Sequence, residues 1–209
     1  MPHPRHQEKT GGDLMGTTMS KNSSSEWKAI SKQLNALSSK ELLKLIHELY
    51  QCTDSNRRFI AARFLKGEAS LKKYKQQIHS ALYPDFDAGK TDISISGAKK
   101  AISDFEKATH DSQQTLDLMI YFVEVGTQMI QAFGMDYESF YDSMESMFSK
   151  IVNRLKSKDR GLLPIFWGRL KKIETDSSDT GYGYGDSLAD MMEELTEVHS
   201  NLGSGGAAK

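Results

Sequence analysis

Residues 112–134, SQQTLDLMIYFVEVGTQMIQAFG, decide the fold. Apolar side chains cover most of the circumference that this stretch would present as a helix, and Asp117, Glu124 and Gln128 are its main polar interruptions. A helix with so wide an apolar face has to be wrapped by others, so the stretch is predicted as the central and most buried element. Asp111 or Ser112 is placed to cap its start, and Gly134 to end it. With a carboxylate at 117 and another at 124, it falls short of the roughly 18 uninterrupted apolar residues that a membrane span needs.

Outward from this helix the apolar spacing stays at three and four residues. Downstream, residues 136–156 place Phe140, Met144, Met147, Phe148 and Ile151 on one side; helices over 161–174, around Pro164, and over 186–200 follow. Upstream, Ile102 and Phe105 mark a helix over 96–109 beyond the loop YPDFDAGKTD. Leu71, Tyr74, Ile78 and Leu82 mark another, which must end before Pro84 because a residue preceding proline avoids the helical region. A shorter helix begins after Asp54 and stops at Gly67. Ser38 and Glu41 form a capping box ahead of Leu42, Leu45, Ile46 and Leu49, which defines a helix over 39–51. Trp27, Ile30 and Leu34 mark the first, over 26–36. Only DISIS, 92–96, alternates like a strand, and five residues without a partner make no sheet. The expected class is all-α: eight or nine helices in consecutive antiparallel hairpins, as a compact bundle or a short solenoid-like stack.

The expected organisation is a disordered tail over 1–25, one helical domain over 26–200 and a flexible tail over 201–209, since both ends lack large hydrophobes. The amino end has no apolar segment of the secretory kind. Cys52 is the only cysteine, which suits a reducing compartment, so a cytoplasmic protein without a membrane span is expected. Charge is polarised: Lys and Arg outnumber Asp and Glu by 14 to 8 over 26–100, whereas residues 174–209 hold 8 acids and one lysine. The two ends of one fold attracting each other would account for this, and so would a partner.

Few motifs carry chemistry. DSSDTGYGYGD, 176–186, alternates glycine with tyrosine as a phosphate cradle would, yet no strand precedes it, no lysine follows, and Asp176, Asp179 and Asp186 surround it. A structural loop that packs Tyr182 and Tyr184, with Asp186 capping the last helix, is the preferred reading. Asp85, Asp87 and Asp92 miss the calcium-loop spacing, because counting from Asp85 puts glycine at position five and serine at twelve. The histidines lack metal-binding spacing, and no cofactor or metal is expected. Asp117 and Glu124 share one helical face: either a solvent stripe, the preferred reading, or a buried polar site paired with Arg63 or Arg169. The strongest surface signal is RRFIAARFLKGEASLKKYK, 57–75, where Arg57, Arg58, Arg63, Lys72, Lys73 and Lys75 are candidates to contact a partner or phosphate, and Tyr74 is placed to stack.

LSSKELLKLIHELY, NRRFIAARF, LYPD, AKKAISDFEKAT, LMIYFVEVG, FGMDYESFY and the glycine–aromatic loop together resemble a family of small all-helical bacterial proteins of unknown function, over most of residues 30–195. The resemblance implies a helical bacterial cytoplasmic protein and assigns no reaction. The expected function is a non-catalytic protein-interaction or adaptor module with a protein partner. The alternative is a nucleic-acid-associated protein using the basic helices 57–75.

Overall fold

A computed structural model describes residues 16–65, 67–89 and 91–204. The described residues form nine α-helices and no strand: α1 (Gly16–Leu34), α2 (Ser39–Cys52), α3 (Asp54–Phe64), α4 (Glu68–Leu82), α5 (Ile95–Thr109), α6 (Ser112–Phe133), α7 (Glu138–Lys156), α8 (Leu163–Ser177) and α9 (Tyr184–Ser204). One 3₁₀ turn, Arg160–Leu162, leads into α8. The protein is all-α. It divides into two compact units, with the boundary between Thr53 and Asp54, inside the span expected as one domain.

In the unit from Asp54 onward, α6 is the hub. It packs against α4, α5, α7 and α8; α3 lies on α4 and α5, while α9 lies on α7 and α8. Leu116, Leu118, Ile120, Phe122 and Val123 have no measurable exposure, as the apolar circumference of this helix requires. Asp111 is the cap, accepting from the Gln114 amide at 2.8 Å, and Gly134 ends the helix at φ 63°. Consecutive hairpins hold only in part, because α8 rests mainly on α6 and α9 rather than on the α7 that precedes it. Phe166, Leu170 and Ile173, all buried, give α8 an apolar face that the hub can cover.

The unit up to Thr53 consists of α1 and α2. Ser38 caps α2 through the expected box: its amide donates to Glu41 Oε2 at 2.7 Å, and its hydroxyl accepts from the Glu41 amide at 3.3 Å. No described side chain from 24 to 53 is buried. Helix α1 starts at Gly16, well before Trp27, so residues 16–25 are helical rather than tail-like. A polar run free of proline extends a helix without showing in apolar spacing. At the other end, Leu202 continues the inward spacing of Leu195 and Val198 and packs on the core, which carries α9 past residue 200.

The glycine–tyrosine loop is a close crossing between α8 and α9. Tyr182 and Gly183 take positive φ, and α9 starts at Tyr184, so Asp186 falls in its first turn instead of capping it. Tyr184 is fully buried and its hydroxyl pairs with that of Thr127 at 2.8 Å; Tyr182 remains exposed while its ring meets that of Tyr141. Gly185 permits the crossing, because a Cβ there would sit 2.5 Å from the Ser177 carbonyl oxygen, whereas a Cβ at Gly181 would meet open space. Gly185→Ala should therefore lower the unfolding free energy by about 2 kcal/mol or more, and Gly181→Ala should change it by less than about 0.5 kcal/mol, measured by urea denaturation.

Candidate functional site

Asp117 and Glu124 lie seven residues apart on α6, on the side that α4 and α8 cover. They are not a solvent stripe. Arg169 of α8 reaches both: Nε donates to Glu124 Oε1 and Nη2 to Glu124 Oε2, each at 2.7 Å, and Nη1 donates to Asp117 Oδ1. Lys75 of α4 pairs with the other Asp117 oxygen at 2.7 Å and lies over the Tyr121 ring. The Asp117 side chain is 15% exposed and that of Glu124 24%. Burial works against the Arg169 charge, but hydrogen bonds and opposite charge from Glu124 and Asp117 outweigh it and hold the guanidinium pKa above its ordinary value. Each carboxylate oxygen of the pair accepts from a cation, so the cluster is a charge-balanced strap joining α4, α6 and α8. Arg63, the other expected partner, donates instead to the Lys107 carbonyl at 2.8 Å.

The basic residues of 57–75 are dispersed by the same packing. Arg57 pairs with Asp54 at 2.9 Å, Arg63 points to α5, and Lys75 belongs to the strap. Lys72 and Lys73 are exposed, whereas Lys66 lies outside the described residues. Arg58 and Lys73 line a small cavity of about 80 Å³ together with Tyr74. Tyr74 is 2% exposed and meets Phe105 edge-on, so it is a core ring and offers no surface for stacking. Burial and the Asp104 carboxylate push its phenol up to about 12. Its hydroxyl has no hydrogen-bond partner among the described residues.

A second ionic cluster joins the end of α7 to α5 and α6. Arg154 donates through Nε to Asp159 at 2.6 Å, through Nη1 to Glu106 at 3.0 Å and through Nη2 to the Ser112 hydroxyl at 2.8 Å; Ser112 in turn donates to Asp159 at 2.5 Å. Beside it, α5, α6 and α7 enclose a groove of about 500 Å³. Its floor is Ile102, Met119 and Met147, and Lys99, Lys150 and Lys158 stand around it.

A family model described as "Family of unknown function (DUF6155)" matches residues 25–194. The chain belongs to this family. The DUF6155 match runs from within α1 to within α9, so it takes in α2, the strap, the Arg154 cluster and the groove alike. No curated protein and no solved structure matches the chain.

Among the described residues of this DUF6155 chain no group of three or more His, Cys, Asp or Glu is placed to hold a metal ion. Asp85 serves a turn, accepting from the Ala88 amide at 3.1 Å. Periodicity reveals Asp117 and Glu124 because they interrupt an apolar run. It does not reveal Arg154, Asp159, Lys99 or Lys150, which sit at ordinary polar positions and are brought together only by helix packing.

Two measurements check these clusters. Glu124→Gln and Arg169→Ala should each destabilise the protein, by about 1 and about 2 kcal/mol respectively, and the double variant by less than their sum, since each removes the other's partner. Asp159 gives a pH signature. Burial raises its pKa, but hydrogen bonds from Ser112 and Arg154 and the charges of Arg154 and Lys158 reverse this and leave it lowered. A carboxylate lowered on folding contributes stability above its unfolded pKa of about 3.9 and loses it as pH falls through the folded value. The stability gap between the wild type and Asp159→Asn should therefore be constant above about pH 5 and shrink below about pH 4.

Proposed function

We propose that this protein is a non-catalytic helical interaction module of a bacterial cytoplasm, and that it docks through α1 and α2 onto a second copy of itself. One observation carries the reading: several apolar residues of these helices are exposed, while Leu34, Leu42 and Leu45 are half-buried. Trp27 is 61% exposed and Leu43 68%, and Ile30, Ile46 and Leu49 are exposed as well. Apolar exposure at several positions of two successive helices is consistent with an interaction surface.

A second copy fits this face. Leu42, Leu45, Ile46 and Leu49 are spaced three, one and three, so the pattern is unchanged when α2 is reversed about its midpoint. An antiparallel two-fold pair sets these four positions opposite one another, as an isologous interface requires. Lys40, Glu41, Lys44 and Glu48 alternate in sign along α2, which favours neither nucleic acid nor an anionic membrane. The single exposed cysteine suits the reducing compartment.

Sedimentation equilibrium should return a dimer for the full chain, and Leu45→Asp with Ile46→Asp should return a monomer of unchanged helical circular dichroism, since α2 has no buried residue to lose. A wild type that stays monomeric throughout the concentration range, or a double variant that stays dimeric, overturns the reading. So does a monomer that floats with anionic vesicles.

A further inference from the structure

The groove between α5, α6 and α7 has features that neither the strap nor the apolar helices explain. It measures about 500 Å³, within the range of small-molecule sites, and lies wholly in the unit from Asp54 onward. Ile102, Met119 and Met147 form its floor; each is at most 5% exposed, so they are core side chains whose outer edges reach the groove. Methionine is unbranched and polarizable, and two of them give an apolar floor that adjusts to the shape laid on it.

The walls are cationic. Lys99, Lys150, Arg154 and Lys158 line the groove against one carboxylate, Glu106. That carboxylate is taken, because Arg154 donates to it at 3.0 Å. Lys99, Lys150 and Lys158 have no ion pair among the described residues, in contrast to Lys75, Lys100 and Lys156, each within 2.7 Å of a carboxylate oxygen. Burial, and then the charge of Lys150, lower the Lys99 pKa. Lys99 and Lys150 both line the groove beside its apolar floor, and repulsion between ammonium groups sharing one groove is relieved by an anion bound there.

We infer that this groove binds a small amphiphilic anion, with an oxyanion headgroup, carboxylate or phosphate, held between Lys99 and Lys150, and an aliphatic body laid along Ile102, Met119 and Met147. Arg154, fixed by Asp159, Ser112 and Glu106, acts as a positioning residue that keeps the α7 wall in place. Ser103 and Asn153 add polar groups to the lining. A bare anion leaves the floor uncovered, and an apolar molecule leaves the ammonium groups opposed, so both parts of the ligand are needed. This inference is independent of self-association through α1 and α2.

The test is methyl NMR of the full chain labelled at methionine, titrated with octanoate, octyl phosphate, octyltrimethylammonium and inorganic phosphate, each below its micelle concentration. The Met119 and Met147 methyls, assigned by conservative replacement with leucine, should shift with octanoate or octyl phosphate and not with octyltrimethylammonium. The headgroup that binds more tightly identifies the natural class. Affinity should rise about three- to fourfold per added methylene and fall as salt is raised. Inorganic phosphate should bind far more weakly than octyl phosphate. Lys150 is exposed, so Lys150→Glu keeps the fold, and it should weaken binding about tenfold or more. The inference is overturned if neither alkyl anion shifts these two methyls, if octyltrimethylammonium shifts them equally, or if Lys150→Glu binds as the wild type does.

Discussion

A helix that is apolar around nearly its whole circumference cannot rest on one neighbour, and α6 imposes this constraint on every other helix from α3 onward. Its backbone hydrogen bonds are satisfied internally, so the whole demand falls on side-chain burial, and several helices are needed to supply it. Helices α4, α5, α7 and α8 meet that demand directly, and α3 and α9 close over the gaps between them. The departure from simple hairpin order follows: α8 passes over α7 to reach α6 because that is where its buried face finds uncovered apolar surface.

The polar residues of α6 show how such a hub tolerates charge. Asp117 and Glu124 lie between covering helices, where water is scarce, and each would be costly without a partner. Arg169 and Lys75 arrive from opposite sides, and the planar guanidinium meets the Glu124 carboxylate with two parallel bonds, a geometry that lysine cannot reproduce. The bonds also have direction. Apolar packing alone permits α8 to slide along α6 by a turn, whereas a fork fixed on residues 117 and 124 admits one register. The buried pair between Tyr184 and Thr127 sets the position of α9 in the same way.

How much of this was legible in the sequence depends on whether a feature is local. Capping residues, proline stops and three-and-four spacing located the helices from α2 to α9 because each acts within one turn. The start of α1 was missed, since a polar helix has no apolar period to read. Glu124 was conspicuous as a charge within an apolar run, yet the amphipathic rule favoured water over Arg169, because the rule assumes one exposed side and α6 has none of that width. The basic stretch 57–75 showed the opposite failure. Counting cations over sequence treats them as one surface, whereas successive positions on a helix point about 100° apart, so Lys75 reaches Asp117 of the strap while Lys72 and Lys73 face solvent. Lys99 and Lys150, fifty-one residues apart, line one groove only because α5 and α7 both pack on α6.

The same distinction separates amphipathic strength from burial. The spacing of Leu42, Leu45, Ile46 and Leu49 gives α2 a sharply defined apolar face, yet α2 has no buried residue, whereas α6 is less sided and contributes more of the core than any other helix. A strong hydrophobic face records that one side of a helix is to be kept from water; it does not record what keeps it so. For α6 the covering helices belong to the same chain, and the cost of ordering them is met within one folding unit. Helix α2 is short, capped at its start by Ser38 and Glu41, and carries charges of both signs beside its apolar positions. The apolar positions 42, 45, 46 and 49 lie symmetrically about the midpoint of α2, so their spacing reads the same in either direction.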